Sequence, residues 1–199
     1  MKKLICLLLA CLLLTGCATQ KQKMNYTEEE LPYGATMKSD KNSYAVPITW
    51  DRRFLTEEQI SAAANYIAAI QNNDPALYAS AALPLYTEYQ IQEVYDYQNI
   101  EELVNALHEG LTGQLADDFK FDMVLVNEIS LDRSSGGLQG MLKLLDGISQ
   151  DGKFSDKIQN ACALTLEWEF SYNNGEGNGY TENQYLYLFQ IDDQYYCCM

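Results

Sequence analysis

Two rhythms of hydrophobic spacing divide this chain. From residue 56 the apolar positions recur with a period near 3.6. In "TEEQISAAANYIAAIQNNDP", Ile60, Ala63, Ile67 and Ile70 fall on one helical face. Thr56 and Gln59 have the spacing of a capping box, and "NNDP" stops the helix. Asp74 and Pro75 then predict the cap and first residue of a short helix running through Leu83 and closed by Pro84. Asn99 starts a second long helix, with Glu102 in the capping position. Its stripe is Ile100, Leu103, Val104, Leu107, Leu111 and Leu115. Between these helices "LYTEYQIQEVYDYQN" is rich in tyrosine and fits neither period.

After residue 118 the rhythm drops to two. Phe119, Phe121, Met123 and Leu125 alternate with Lys120, Asp122, Val124 and Val126, which predicts a strand. "RSSGG" breaks it, and "LQGMLKLLDGIS" reads as a glycine-weakened helix. The clearest strand is "ACALTLEWEFSY". Cys162, Leu164, Leu166, Trp168, Phe170 and Tyr172 face one way, and Thr165, Glu167, Glu169 and Ser171 the other. "NNGEGNG" turns the chain into "TENQYLYLFQI", which is apolar on both sides and so predicts a central strand. "DDQ" turns again into "YYCCM". Helices first and an antiparallel meander last predict the α+β class, with the N-terminal helices packed on the sheet.

The amino end follows neither rhythm. Lys2 and Lys3 precede an apolar run, Leu4 to Leu14, that is too short to span ~30 Å of hydrocarbon but suits a secretory signal. Leu14-Thr15-Gly16-Cys17 resembles a bacterial lipobox. That resemblance implies cleavage before Cys17, a diacylglyceryl group on its sulfur, and a cell-membrane anchor facing outside the cytoplasm. Two or more acyl chains anchor stably where one does not. Residues 1–16 then form the signal and residues 17–45 a lipidated, flexible tether. Residues 46–199 form a single α+β domain. Within the tether, "ELPYGATM" reads as a small docked segment or as free coil.

Composition narrows the partners. The net charge is −15, and losing a signal that carries two lysines makes it more negative. Such a chain repels phosphate backbones, so no nucleic-acid partner is expected. The expected partners are the membrane, through the lipid anchor, and an envelope protein or a small ligand. After Cys17 only Cys162, Cys197 and Cys198 remain. They are read either as one bridge from Cys162 to Cys197 or Cys198, or as three buried thiols. No spacing matches a zinc site or a calcium loop, and no metal or cofactor is assigned. The single histidine, His108, flanks an apolar stripe and is read as structural, so no catalytic residue is assigned. Fifteen tyrosines with Trp50 and Trp168 are read as half-buried strand and helix residues, or as an aromatic ligand wall. The residues singled out as pocket or core lining are Tyr66, Leu166, Trp168, Phe170 and Tyr187.

"NYIAAIQNNDPALY", the helix at 100–115 and the closing "LYLFQIDDQYY" together resemble the nuclear transport factor 2-like domains of uncharacterised Gram-positive lipoproteins. The resemblance covers residues 54–199. It implies helices on a strongly curved antiparallel sheet with a pocket at the wide end. That fold hosts enzymes, binding subunits and structural domains, and no residue of the family's enzymes is carried over. The expectation is a non-enzymatic, membrane-anchored domain that binds a ligand or partner. The alternatives are a small-molecule enzyme using the cone pocket and a purely structural envelope domain.

Overall fold

Six strands join in the order β1-β2-β3-β4-β5-β6: β1 (Met37–Asp40), β2 (Ile48–Asp51), β3 (Lys120–Ser130), β4 (Asn160–Tyr172), β5 (Gly177–Ile191) and β6 (Gln194–Cys198). The structure is a computed structural model that describes residues 27–199. The signal, Cys17 and the first part of the tether lie outside the described residues. Thr27 to Leu31 belong to a separate unit whose described part is one 3₁₀ turn, Glu28–Glu30, with the Thr27 N–H donating to the Glu30 carboxylate. The other unit runs from Pro32 to Met199.

The α+β class holds, with two corrections. The sheet is mixed, because β2 pairs parallel with β3 while the other pairs are antiparallel. Strands also precede the helices, and β1 lies inside the segment read as tether. The physical reason is a buried carboxylate. Asp51, at the end of β2, has no solvent exposure. It accepts from the backbone N–H of Gly34, the hydroxyl of Thr36, and the backbone N–H, Nε and Nη2 of Arg53. Arg53 also donates to the Pro32 carbonyl at 2.8 Å, and the Tyr33 hydroxyl donates to the Val126 carbonyl at 2.8 Å. These bonds dock "PYGAT" onto the sheet. Gly34 sits at φ 88°, a left-handed conformation natural to glycine.

The helices form where their caps predict. Helix α1 (Glu57–Gln71) has its capping box: Thr56 N–H to Gln59 Oε1 at 2.8 Å and Gln59 N–H to Thr56 Oγ1 at 3.3 Å. Asp74 caps α2 (Pro75–Ala81) through the N–H groups of Ala76 and Leu77. Pro84 does more than close that helix. It is the first residue of a further one, α3 (Pro84–Tyr89), where its missing N–H costs nothing. Helix α4 (Ile100–Gln114) starts at Asn99, whose side chain accepts from the Glu102 N–H.

Helices α1, α2 and α4 share one core with Leu164, Leu166, Trp168, Leu186 and Leu188. The opposite face is covered as well. Helix α5 (Gly136–Ile148) brings Leu138 and Leu145 into a second core with Ala161, Phe189 and Cys198. The far end of the sheet is therefore sandwiched, which is why β5 is apolar on both sides. Strand β3 departs from simple alternation. Phe121 is buried, but so are Val124 and Val126, while Met123 and Leu125 are half-buried. Register shifts between Phe121 and Met123 and between Val126 and Glu128 are the cause, since an extra residue in one strand swaps the faces beyond it. Asp192 and Asp193 make the two-residue turn into β6 at φ 49° and 63°, a geometry aspartate tolerates without glycine.

Candidate functional site

The caps of α1 and α4 fix the helical phase, and the phase decides which side chains meet the sheet. On α1 these include Tyr66, Ile67 and Ile70; on α4 they include Leu107 and Leu111. With Phe121 of β3, Trp168 of β4, Gln184 of β5 and Met199 they line a cavity of about 330 Å³. Ala106, Gly110, Gln114 and Tyr95 complete the lining; Gly110, Gln114 and Tyr95 are exposed. Gln90 enters from a less regular element. Helix α3 runs on into a π turn, Gln90–Val94, in which the Tyr95 N–H donates to the Gln90 carbonyl at 3.0 Å. Such wide turns recur at functional sites.

No charged side chain lines this cavity. Trp168 is 4% exposed and its ring centroid lies 5.0 Å from that of Phe121. The Tyr66 and Tyr78 hydroxyls are 3.4 Å apart. Burial raises the Tyr66 phenol well above its ordinary range and pushes Tyr78 up to about 12, so both remain neutral donors. Two polar atoms of the lining are buried without a hydrogen-bond partner: Nε1 of Trp168 and Oε1 of Gln90. Leaving such an atom unsatisfied costs ~1–3 kcal/mol. Among the described residues, Trp50 Nε1 and Thr181 Oγ1 share that condition but line no part of this cavity. The wall thus offers apolar surface and aromatic rings, with two unpartnered polar atoms buried among its residues, which is the composition of a recognition site.

A larger hollow, of about 610 Å³, is a surface groove lined in part by Glu57, Glu58, Ser61, Asn65 and Asp193. These polar side chains are half-buried or exposed, so water satisfies them, and nothing there calls for a ligand.

The residues singled out from sequence separate. Tyr66 and Trp168 meet in the cavity, and Trp168 packs against α1 and α4 as its strand face implies. Leu166 and Phe170 share its face but belong to the core outside the cavity lining. Tyr187 points to the opposite face, against the α5 core, because it is one residue out of phase with Leu186 and Leu188. Gln90, Tyr95, Phe121 and Gln184 were not singled out. The one sequence signal for Gln90 was negative: its tyrosine-rich segment fits no period because it switches from an α to a π turn.

His108 is half-buried, and its Nδ1–H donates to the Ile70 carbonyl at 3.0 Å. That carbonyl, in the last turn of α1, also accepts from the Asn73 N–H at 3.3 Å, so His108 adds a second donor to it. The three described cysteines are free and buried. Cys162 and Cys197 both stand opposite Leu188, from either side of β5. That places them two strand spacings apart, about 10 Å, beyond the ~7 Å a disulfide can bridge. Cys198 belongs to the other core. Burial pushes the Cys162 thiol up to about 12 and raises Cys197 well above its ordinary value. Among the described residues no cluster of His, Cys, Asp or Glu could hold a metal, and no helix is long and apolar enough to cross a membrane.

Compared with known proteins, the chain matches no family model, no curated protein and no solved structure.

Proposed function

We propose that this chain is a lipid-anchored, extracytoplasmic binding protein whose α+β domain, of nuclear transport factor 2-like type, holds a small uncharged ligand between its helices and sheet. The observation that carries the binding reading is the cavity at Trp168, walled by apolar and aromatic residues with no charged side chain, two of whose residues bury a polar atom without a partner. The domain type is supported by α1 and α4 lying over the long antiparallel strands with the cavity between them. The anchor is supported by Leu14-Thr15-Gly16-Cys17 after a short apolar run.

Two experiments test this. Uncharged bicyclic aromatics such as 2-naphthol should raise the melting temperature of the full chain, since a ligand of the folded state alone stabilises it. Gly110→Phe should remove that response. Gly110 is an exposed helix residue at the lining, with nothing within 4 Å of an added Cβ, so the ring has room to block the opening. A full response in Gly110→Phe contradicts binding in this cavity. For the anchor, Cys17→Ser should abolish metabolic labelling with a fatty acid, because only the sulfur can form the thioether. Undiminished labelling rejects it.

A further inference from the structure

Strand β5 is longer than the strand that flanks it. It runs from Gly177 to Ile191, but β6 pairs only with its last stretch, from Tyr187 to Ile191. From Gly177 to Leu186 its one partner strand among the described residues is β4. A strand paired on one side turns the N–H and C=O groups of alternate residues away from its neighbour. Such a row is a template for another strand. Among the described residues, no element other than β4 bonds the backbone of residues 177–181, and Asn178 and Tyr180 are exposed. The register with β4 is unbroken from Gly177, opposite Tyr172, to Thr181, opposite Trp168. Beyond Thr181 a register shift and Asn183, at φ 58°, interrupt the row.

The charge beside this edge selects its occupant. From Ile158 to Met199 the chain has six acidic residues and no lysine or arginine. Glu169 stands opposite Tyr180, on the sheet face turned away from Trp168 and Phe170, and alternation along β4 puts Glu167 on that face too. Glu169 and Glu182 are exposed, and neither they nor Glu167 form an ion pair among the described residues. On the other face the Phe170 ring lies over Gly179, where it would collide with any Cβ. One face of the edge therefore shows carboxylates beside a tyrosine ring, and the other an apolar ring. A second copy of this chain would bring the same carboxylates to the same edge, and like charges facing across a strand pair are destabilising.

We propose that the open edge of β5 at residues 177–181 takes an extended basic peptide as an added strand, with lysine or arginine side chains on the Glu169 face and apolar side chains alternating on the Phe170 face. Main-chain bonds supply the affinity and the alternation supplies the specificity. The inference is independent of the cavity.

The test is titration of the full chain with the blocked heptapeptide KVKVKVK. It should bind and should slow hydrogen exchange at the amides of residues 177–181. The block sequence KKKKVVV, of equal charge, should bind about tenfold more weakly, and EVEVEVE should not bind. Two further peptides carry N-methyl groups on either the lysine or the valine nitrogens. Only one of these sets faces β5, so one peptide should lose binding and the other keep it. Glu169→Gln combined with Glu182→Gln should weaken KVKVKVK about tenfold while the melting temperature holds. Equal binding of the block sequence or of both methylated peptides shows adsorption by charge alone and overturns the proposal. So does binding that leaves exchange at 177–181 unchanged, no binding at all, or a dimer that protects this edge itself.

Discussion

Two of the places where the chain buries polar groups are treated in opposite ways. At the end of β2 it buries a full negative charge, and every neighbour of Asp51 named above donates to it. Around the cavity it buries two neutral atoms, Gln90 Oε1 of the π turn and Trp168 Nε1 of β4, and leaves both without a partner. The satisfied set fixes architecture: it ties Pro32 to Thr36 onto the sheet. The unsatisfied pair, Gln90 Oε1 and Trp168 Nε1, adds no hydrogen bond to the fold. Its retention in the wall of a cavity is what points to a ligand. Neither burial nor a missing partner alone distinguishes structure from function here, since Trp50 Nε1 and Thr181 Oγ1 are also unpartnered; a missing partner on a residue of the cavity wall does.

The largest expected effect falls on the satisfied region. Arg53→Ala strands a buried carboxylate, a loss of ~3–5 kcal/mol. Urea unfolding of the full chain measures it, and a loss below about 1 kcal/mol would mean that Asp51 is satisfied without the guanidinium.

Acid sharpens the same contrast. The Arg53 guanidinium, with the Thr36 hydroxyl and the Gly34 N–H, holds the Asp51 carboxyl well below its usual value of 3.8. A carboxyl lowered by folding stabilises the fold above its unfolded pKa, and that stabilisation fades as pH falls toward the folded value. Stability should therefore drop as pH is lowered below about 4, and Asp51→Asn should flatten part of that drop. An unchanged profile in Asp51→Asn would remove the carboxylate from the account.

A smaller effect is expected beside the cavity. Gly110 lies within α4 with open space where a Cβ would stand. Gly110→Ala should stabilise the fold by ~0.5–1 kcal/mol through helix propensity alone. Destabilisation would mean that the helix needs glycine there, for example to admit a ligand.

How far the sequence reaches follows from where its signals are local. Thr56 with Gln59, Asp74 with Pro75, and Asn99 announce their helices because a cap is a contact between residues two or three apart. Trp168 announces its face because alternation along β4 is unbroken. Leu125 and Val126 mislead because a β-bulge depends on the partner strand, which spacing along one strand does not reveal. The docking of "PYGAT", one of the two readings that "ELPYGATM" allows, rests on Asp51, 17 residues from Gly34, so spacing along the segment does not show what anchors it. Gln90 is hidden for a related reason: its place follows from a π turn that puts it in the same cavity wall as Trp168, and nothing in its neighbours along the chain declares that. The second helical layer, α5, was legible as a helix but not as a cover for the opposite face. Tyr187 and Phe189 carry that information only once the sheet is assembled.

The most direct measurement of the central claim is the unfolding free energy of Gln90→Leu in urea, with no ligand added. If Gln90 is held for recognition, replacing its orphaned amide by an apolar side chain of similar size leaves stability unchanged or raises it. A loss above about 1.5 kcal/mol would show that the amide makes bonds the fold depends on, and the distinction between the two regions would collapse.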